Sequence, residues 1–164
     1  MKTNKIVLSG LGIATVFLMT VIVVIPISGM GYINVGDASL MLFSSVVTPS
    51  MGFLIGGVGS ALADLYLGYS QYALFTLIVK GLEGLLVVVL IRKLNFIPYV
   101  ALALGALLMV CGYYFADGII LGSFSASFAG VPANILQGTC SVIIASLAYK
   151  PFQKVAKNNK IVLN

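Results

Sequence analysis

The run ASLMLFSSVVTPSMGFLIGGVGSALADLY, residues 38–66, holds either one membrane crossing or two. Its centre is Thr48-Pro49. A proline inside a helix removes a backbone hydrogen bond and clashes with the preceding turn. That favours two short helices, at about 38–48 and 50–66. The charges on either side agree. Upstream, Lys2 and Lys5 precede an apolar run at 6–28 that passes Pro26 and the turn-rich Ser28-Gly29-Met30-Gly31. Downstream, a run at 71–91 stops at Arg92-Lys93, two more follow at 98–119 and 128–149, and Lys150, Lys154, Lys157 and Lys160 close the chain. Cytoplasmic segments concentrate Lys and Arg. With two helices in 38–66, all three basic clusters fall on one side and only Lys80 is left out. With one helix, Arg92 and Lys93 would face the opposite side from the N-terminus. The expected fold is an all-α membrane protein: a compact six-helix bundle over residues 1–164, one domain, both termini cytoplasmic.

Composition supports that class. Of the 164 residues, 60% are hydrophobic and 8% charged, and the mean hydropathy is +1.14. Soluble domains carry about 25% charged residues, so this chain cannot cover a globular surface with polar side chains. Six spans of roughly 20 residues would use about 120 of them, leaving little for an extramembrane domain. The first run is too long for a signal-peptide core and lacks a small-x-small cleavage pattern; it reads as a retained span. The net charge of +5 follows from positive-inside bias, with attraction to anionic membrane lipid, and calls for no nucleic acid. With no His, and with Cys111 and Cys140 in apolar stretches, neither a zinc site nor a Cys/His nucleophile can be built. A P-loop and a G-x-S-x-G elbow are both absent from the sequence, so the reading is of a non-enzyme without cofactor or metal.

Polar residues in such a chain mark its chemistry. In the six-span topology Asp37, Asp64 and Asp117 lie near the outer surface, and Lys80 and Glu83 lie deep in the fourth span. Lys80 and Glu83 share a helix face at i,i+3. They are either a self-neutralising pair or part of a pathway, the usual role of intramembrane ionisable groups. Tyr113, Tyr114 and Asp117 sit within a turn at the end of the fifth span; Asn134 and Gln137 open the sixth; Tyr66 and Tyr69 flank the turn after Asp64. Together they suit an outward-facing pocket with aromatic walls and a few oriented polar groups, although tyrosines also anchor membrane interfaces. The loop Gly29–Asp37, with Tyr32 and Asn34, is a lid or a flexible connector. Small-residue spacings at Gly10/Ala14, Gly52/Gly56 and Gly56/Ser60 create surfaces for close helix approach. The first span contributes few polar groups, so Gly10 and Ala14 are candidates for a partner-facing surface.

The stretch GGVGSALADLYLGYSQYALFTLIVKGLEGLLV, 56–87, resembles the substrate-binding S components of energy-coupling factor (ECF) vitamin transporters. Ala63-Asp64, Gly68-Tyr69 and Lys80-Gly81-Leu82-Glu83-Gly84 carry the resemblance, and the Asn34-Val35-Gly36-Asp37 loop extends it. The resemblance implies a multi-pass protein of the bacterial cell membrane that binds a water-soluble vitamin near its outer face. It further implies a membrane scaffold subunit and two ATPase subunits as partners, with Gly10 and Ala14 as the scaffold contact. From the residues themselves, the expected substrate site comprises Asn34, Asp64, Tyr69, Lys80, Glu83, Tyr113, Asp117, Asn134 and Gln137. Tyrosine stacking and carboxylate acceptors favour hydroxymethylpyrimidine or a pyridoxine-like ring, with riboflavin second. Outside the family, a self-sufficient ion-coupled carrier or channel is the other reading; it would need a continuous polar path.

Overall fold

The computed structural model describes residues 2–26 and 31–159, and side chains from Lys5 onward. Ser28, Gly29 and Met30 of the first loop, the side chain of Lys2, and Lys160 lie outside the described residues.

Helix α1 covers Lys2–Ile22. The expected span to residue 28 is cut short: Ile25–Pro26 forms a strand, β1, paired antiparallel with β2, Tyr32–Ile33. The chain before Pro26 is Val21-Ile22-Val23-Val24-Ile25. β-Branched residues are poor helix formers, and a residue preceding proline is pushed into extended backbone. Helix α2 then runs Gly36–Ser44, and α3 runs Pro49–Leu67 with Thr48 as N-cap and Pro49 in its first turn. The break at Thr48-Pro49 is therefore where the sequence puts it, because a proline without an N–H costs nothing at a helix start. Gly68, at φ 86°, caps α3 in the left-handed region, and α4 begins two residues later and covers Ser70–Val88. A five-residue π-turn, Val89–Lys93, extends α4. Helix α5 covers Pro98–Ile120, the short α6 Phe124–Ser127, and α7 Val131–Asn158. Lys150, Lys154 and Lys157 thus lie on α7 rather than on a tail after it, and Pro151 sits within the helix.

Five helical stretches among the described residues are long and apolar enough to cross a membrane. The exception among the expected spans is α2. Its nine residues rise about 14 Å, against a hydrocarbon core of about 30 Å. What α2 lacks in length it has in burial: Leu40 and Met41, and Val46 and Val47 just after it, have no solvent exposure. It packs against α1, α3, α4 and α7 and forms the centre of the core. Irregular backbone at membrane depth is tolerated when protein covers it, and these segments meet that condition.

Glycines set the spacing around this centre. A Cβ on Gly84 would land on the Gly52 carbonyl, one on Gly56 on the Lys80 carbonyl, and one on Gly57 on the Leu77 carbonyl. Helices α3 and α4 are therefore in backbone-to-backbone contact, the geometry that small-x-x-x-small patterns permit. The outer face of the bundle is apolar, as lipid requires: Ile6, Ile22, Leu74, Leu107, Ile119 and Leu147 are all more than half exposed.

Candidate functional site

Polar side chains on six segments converge on one cleft. Its empty space, counted out to the open mouth, is about 540 Å³. The walls come from stripes at helical spacing: Ser60 and Asp64 on α3, Tyr72, Thr76 and Lys80 on α4, Tyr113 and Asp117 on α5, and Asn134 and Gln137 on α7. Thr20 of α1, Gly31, Tyr32 and Asn34 of the first loop, and Gly130 complete the lining.

Beneath the cleft lies a buried charged cluster. Lys80 Nζ donates to Asp37 Oδ1 at 2.5 Å and to Glu83 Oε2 at 3.2 Å. All three residues are at most 1% exposed. Gln137 ties this cluster to the loop: its Nε2 donates to Asp37 Oδ2 at 2.9 Å, and its Oε1 accepts from the Asn34 backbone N–H at 3.0 Å. Asn34 Oδ1 in turn accepts from the Gly36 N–H at 2.8 Å, satisfying an N-terminal donor of α2. These bonds leave Gln137 one amide orientation, since a carboxylate only accepts and a backbone N–H only donates.

Nearer the mouth, two tyrosines hold two carboxylates. Tyr32 Oη donates to Asp64 Oδ1 at 2.6 Å, and Tyr72 Oη to Asp117 Oδ1 at 2.8 Å. Burial, then the neighbouring Asp64 carboxylate, push the Tyr32 phenol far above its ordinary range, so it remains a donor. The Tyr69 ring lies 4.9 Å from that of Tyr32, and Thr76 and Tyr113 share a hydrogen bond of 3.0 Å. Lys80 Nζ sits 5.5 Å from the centre of the Tyr113 ring, within cation–π range. Among the described residues, two buried oxygens lining the cleft, Asp64 Oδ2 and Thr20 Oγ1, have no hydrogen-bond partner.

Of the nine residues expected at the site, seven line the cleft: Asn34, Asp64, Lys80, Tyr113, Asp117, Asn134 and Gln137. Tyr69 stands one ring behind, against Tyr32. Glu83 lies beneath, reaching the cleft only through Lys80. Tyr114 turns away, packing on Phe124 and Phe128, and Tyr66 is exposed, its ring edge-on to Phe17. The expected depth of Asp37 needs correction. It meets Lys80, ten residues into α4, or about 15 Å from the start of that helix, and so lies deep in the bundle rather than near its surface. Lys80 therefore has two carboxylate partners, and Asp37 is the nearer. A contact spanning 43 positions leaves no trace in i,i+3 spacing. Ser60, Tyr72 and Thr76 had a usable signal, because each sits four residues from a polar residue of the site on its own helix.

Gly10 and Ala14 are both exposed on α1, and nothing lies within 4 Å of a Cβ placed on Gly10. The inward face of α1 is instead Gly12 against Ile55, and Ile13 and Val16 against Gly59.

Comparison with known proteins gives three findings. An uncharacterised Pyrococcus woesei protein is 38% identical over 128 residues, covering 76% of this chain and 85% of that one. A Lactococcus lactis protein named as the thiamine precursor transporter HmpT is 29% identical over 151 residues, covering 88% of this chain and 84% of that one. The family model described as the ECF-type riboflavin transporter, S component, matches residues 1–154. With nearly the whole length matched, and with apolar helices suited to a multi-pass membrane protein, the chain belongs to the family of ECF-type riboflavin transporter S components.

Proposed function

We propose that the cleft binds hydroxymethylpyrimidine, or a pyridoxine-like ring of similar size, and that the protein delivers it across the cell membrane with a scaffold subunit and two ATPase subunits. The observation that carries the reading is the pairing of tyrosine rings with carboxylate acceptors in one cleft, with Asp64 Oδ2 and Thr20 Oγ1 left open. An aminopyrimidine supplies flat faces for Tyr113 or Tyr32 and N–H donors for Asp64 or Asp117, and charge-assisted hydrogen bonds of that kind are strong. The similarity to the thiamine precursor transporter supports the same substrate. The chain has no Trp, and the aromatic rings lining the cleft are those of Tyr32, Tyr72 and Tyr113, less stacking surface than a three-ring flavin would use.

Riboflavin is the second reading, favoured by the description of the family model. In either case we place both termini in the cytoplasm, with α2 and the buried chain flanking it making the second of six crossings. Gly10 and Ala14 then face the scaffold. A self-sufficient channel would need a continuous polar path, whereas the hydrogen bonds of the charged cluster run to Asn34 and Gln137 on the cleft side. Titration calorimetry on purified, ligand-stripped protein tests the substrate. Hydroxymethylpyrimidine should bind at least tenfold more tightly than riboflavin, a gap of about 1.4 kcal/mol; the reverse order would assign the site to the flavin.

A further inference from the structure

All four carboxylates of the chain, Asp37, Asp64, Glu83 and Asp117, are buried in the same part of the bundle, each at most 4% exposed. Of the Lys and Arg side chains among the described residues, only Lys80 is buried with them. Lys80 is not available to a ligand as a free cation, because Asp37 and Glu83 both hold its ammonium from behind the cleft. The hydroxyls of Tyr32 and Tyr72, which could serve an anion as donors, are committed to Asp64 and Asp117. Among the described residues, two buried oxygens of the lining, the Asp64 Oδ2 carboxylate and the Thr20 Oγ1 hydroxyl, have no partner, and the remaining polar groups on the walls, such as Ser60 and Asn134, are neutral. A carboxylate oxygen accepts hydrogen bonds and repels negative charge.

We propose that this cleft selects its ligand by charge. It takes a neutral or cationic ring bearing N–H donors, and it excludes the phosphate ester of the same ring. The inference rests on the reading of the cleft as the vitamin site. It adds a specificity that shape alone would not give. A phosphate brings a charge of about −1.5 to −2; on these walls it would meet the Asp64 and Asp117 carboxylates and only neutral hydroxyl and amide donors, with Lys80 already held by Asp37 and Glu83. The consequence is directional. The protein would draw free alcohol from outside, and a phosphate-transfer step acting after entry would produce a form it no longer recognises.

The test compares three ligands on the stripped, purified protein by calorimetry: hydroxymethylpyrimidine, its phosphate monoester, and an uncharged ester of similar bulk. The phosphate should bind at least about 100-fold more weakly than the alcohol, the scale of one unit charge about 6 Å from another at an effective dielectric of 20. The uncharged ester should bind within about tenfold of the alcohol. Asp117→Asn, checked for folding by its melting curve, should narrow the alcohol-to-phosphate gap. Equal binding of alcohol and phosphate overturns charge selection while leaving the vitamin site in place, as does rejection of the uncharged ester as strongly as of the phosphate. If no pyrimidine binds, riboflavin, its phosphate and an uncharged ester are put through the same comparison. Failure of both series removes the vitamin site itself, and charge selection with it.

Discussion

Lys80 is where the energetics of the bundle are most exposed to a single substitution. Its ammonium meets Asp37 Oδ1 at 2.5 Å and Glu83 Oε2 at 3.2 Å with no solvent at hand. Removing one member of a buried ion pair strands the other and costs about 3–5 kcal/mol. Lys80→Met strands two carboxylates and should be the most damaging change in the cluster. Asp37→Asn should come next, because it removes the nearer partner and also weakens the bond from Gln137 Nε2. Glu83→Gln should be mildest, since Asp37 still holds Lys80 and Glu83 Oε1 has no partner to lose. Melting curves in detergent check the order; a Glu83 variant less stable than the Asp37 variant would contradict it. This ranking could not come from sequence. There, Lys80 and Glu83 stand three apart and read as a pair, whereas Asp37 lies on another helix and its own neighbours say only that it opens one. The polar residues on α3, α4, α5 and α7 were more legible, because each shares a helix face with another residue of the site.

At the scale of elements, two glycine positions make opposite predictions. Gly84→Ala would drive a methyl into the Gly52 carbonyl, and backbone cannot yield as a side chain can. A loss of at least about 2 kcal/mol is expected, in the range of overpacked cores. Gly10→Leu meets nothing in the isolated protein and should leave melting and vitamin binding within error of the parent. It should block assembly with the scaffold subunit, read by co-purification. Intact assembly in Gly10→Leu would remove α1 as the partner face. The helix starts at Pro49 and Pro98 were legible because proline is placed there for a local reason. The early end of α1 was legible only in part. Pro26 and the β-branched run before it mark a stop, but the pairing of Ile25 with Ile33 depends on the chain returning.

On the scale of the whole molecule, the proposed sidedness rests on the basic clusters. In a background with Cys111 and Cys140 replaced, Ser70→Cys should react with an impermeant thiol reagent from outside, and Leu94→Cys only after permeabilisation. Both positions are exposed and lie at opposite ends of α4 and its π-turn. Labelling of both from outside would contradict six crossings. The broad class was readable from composition, since 8% charged residues cannot solvate a globule. The depth of α2 was not, because a nine-residue helix buried on all sides looks in sequence like a truncated span.

Transport is the property that joins these scales, and it can be measured directly. Cells lacking their own pyrimidine uptake are given this chain, with or without a scaffold subunit and two ATPase subunits, and supplied with labelled hydroxymethylpyrimidine. Accumulation well above background only when all the subunits are present, and abolished by an inactive ATPase, is the expected result. Equal accumulation by the chain alone, or none with the full complex, would contradict its role as the vitamin-binding component.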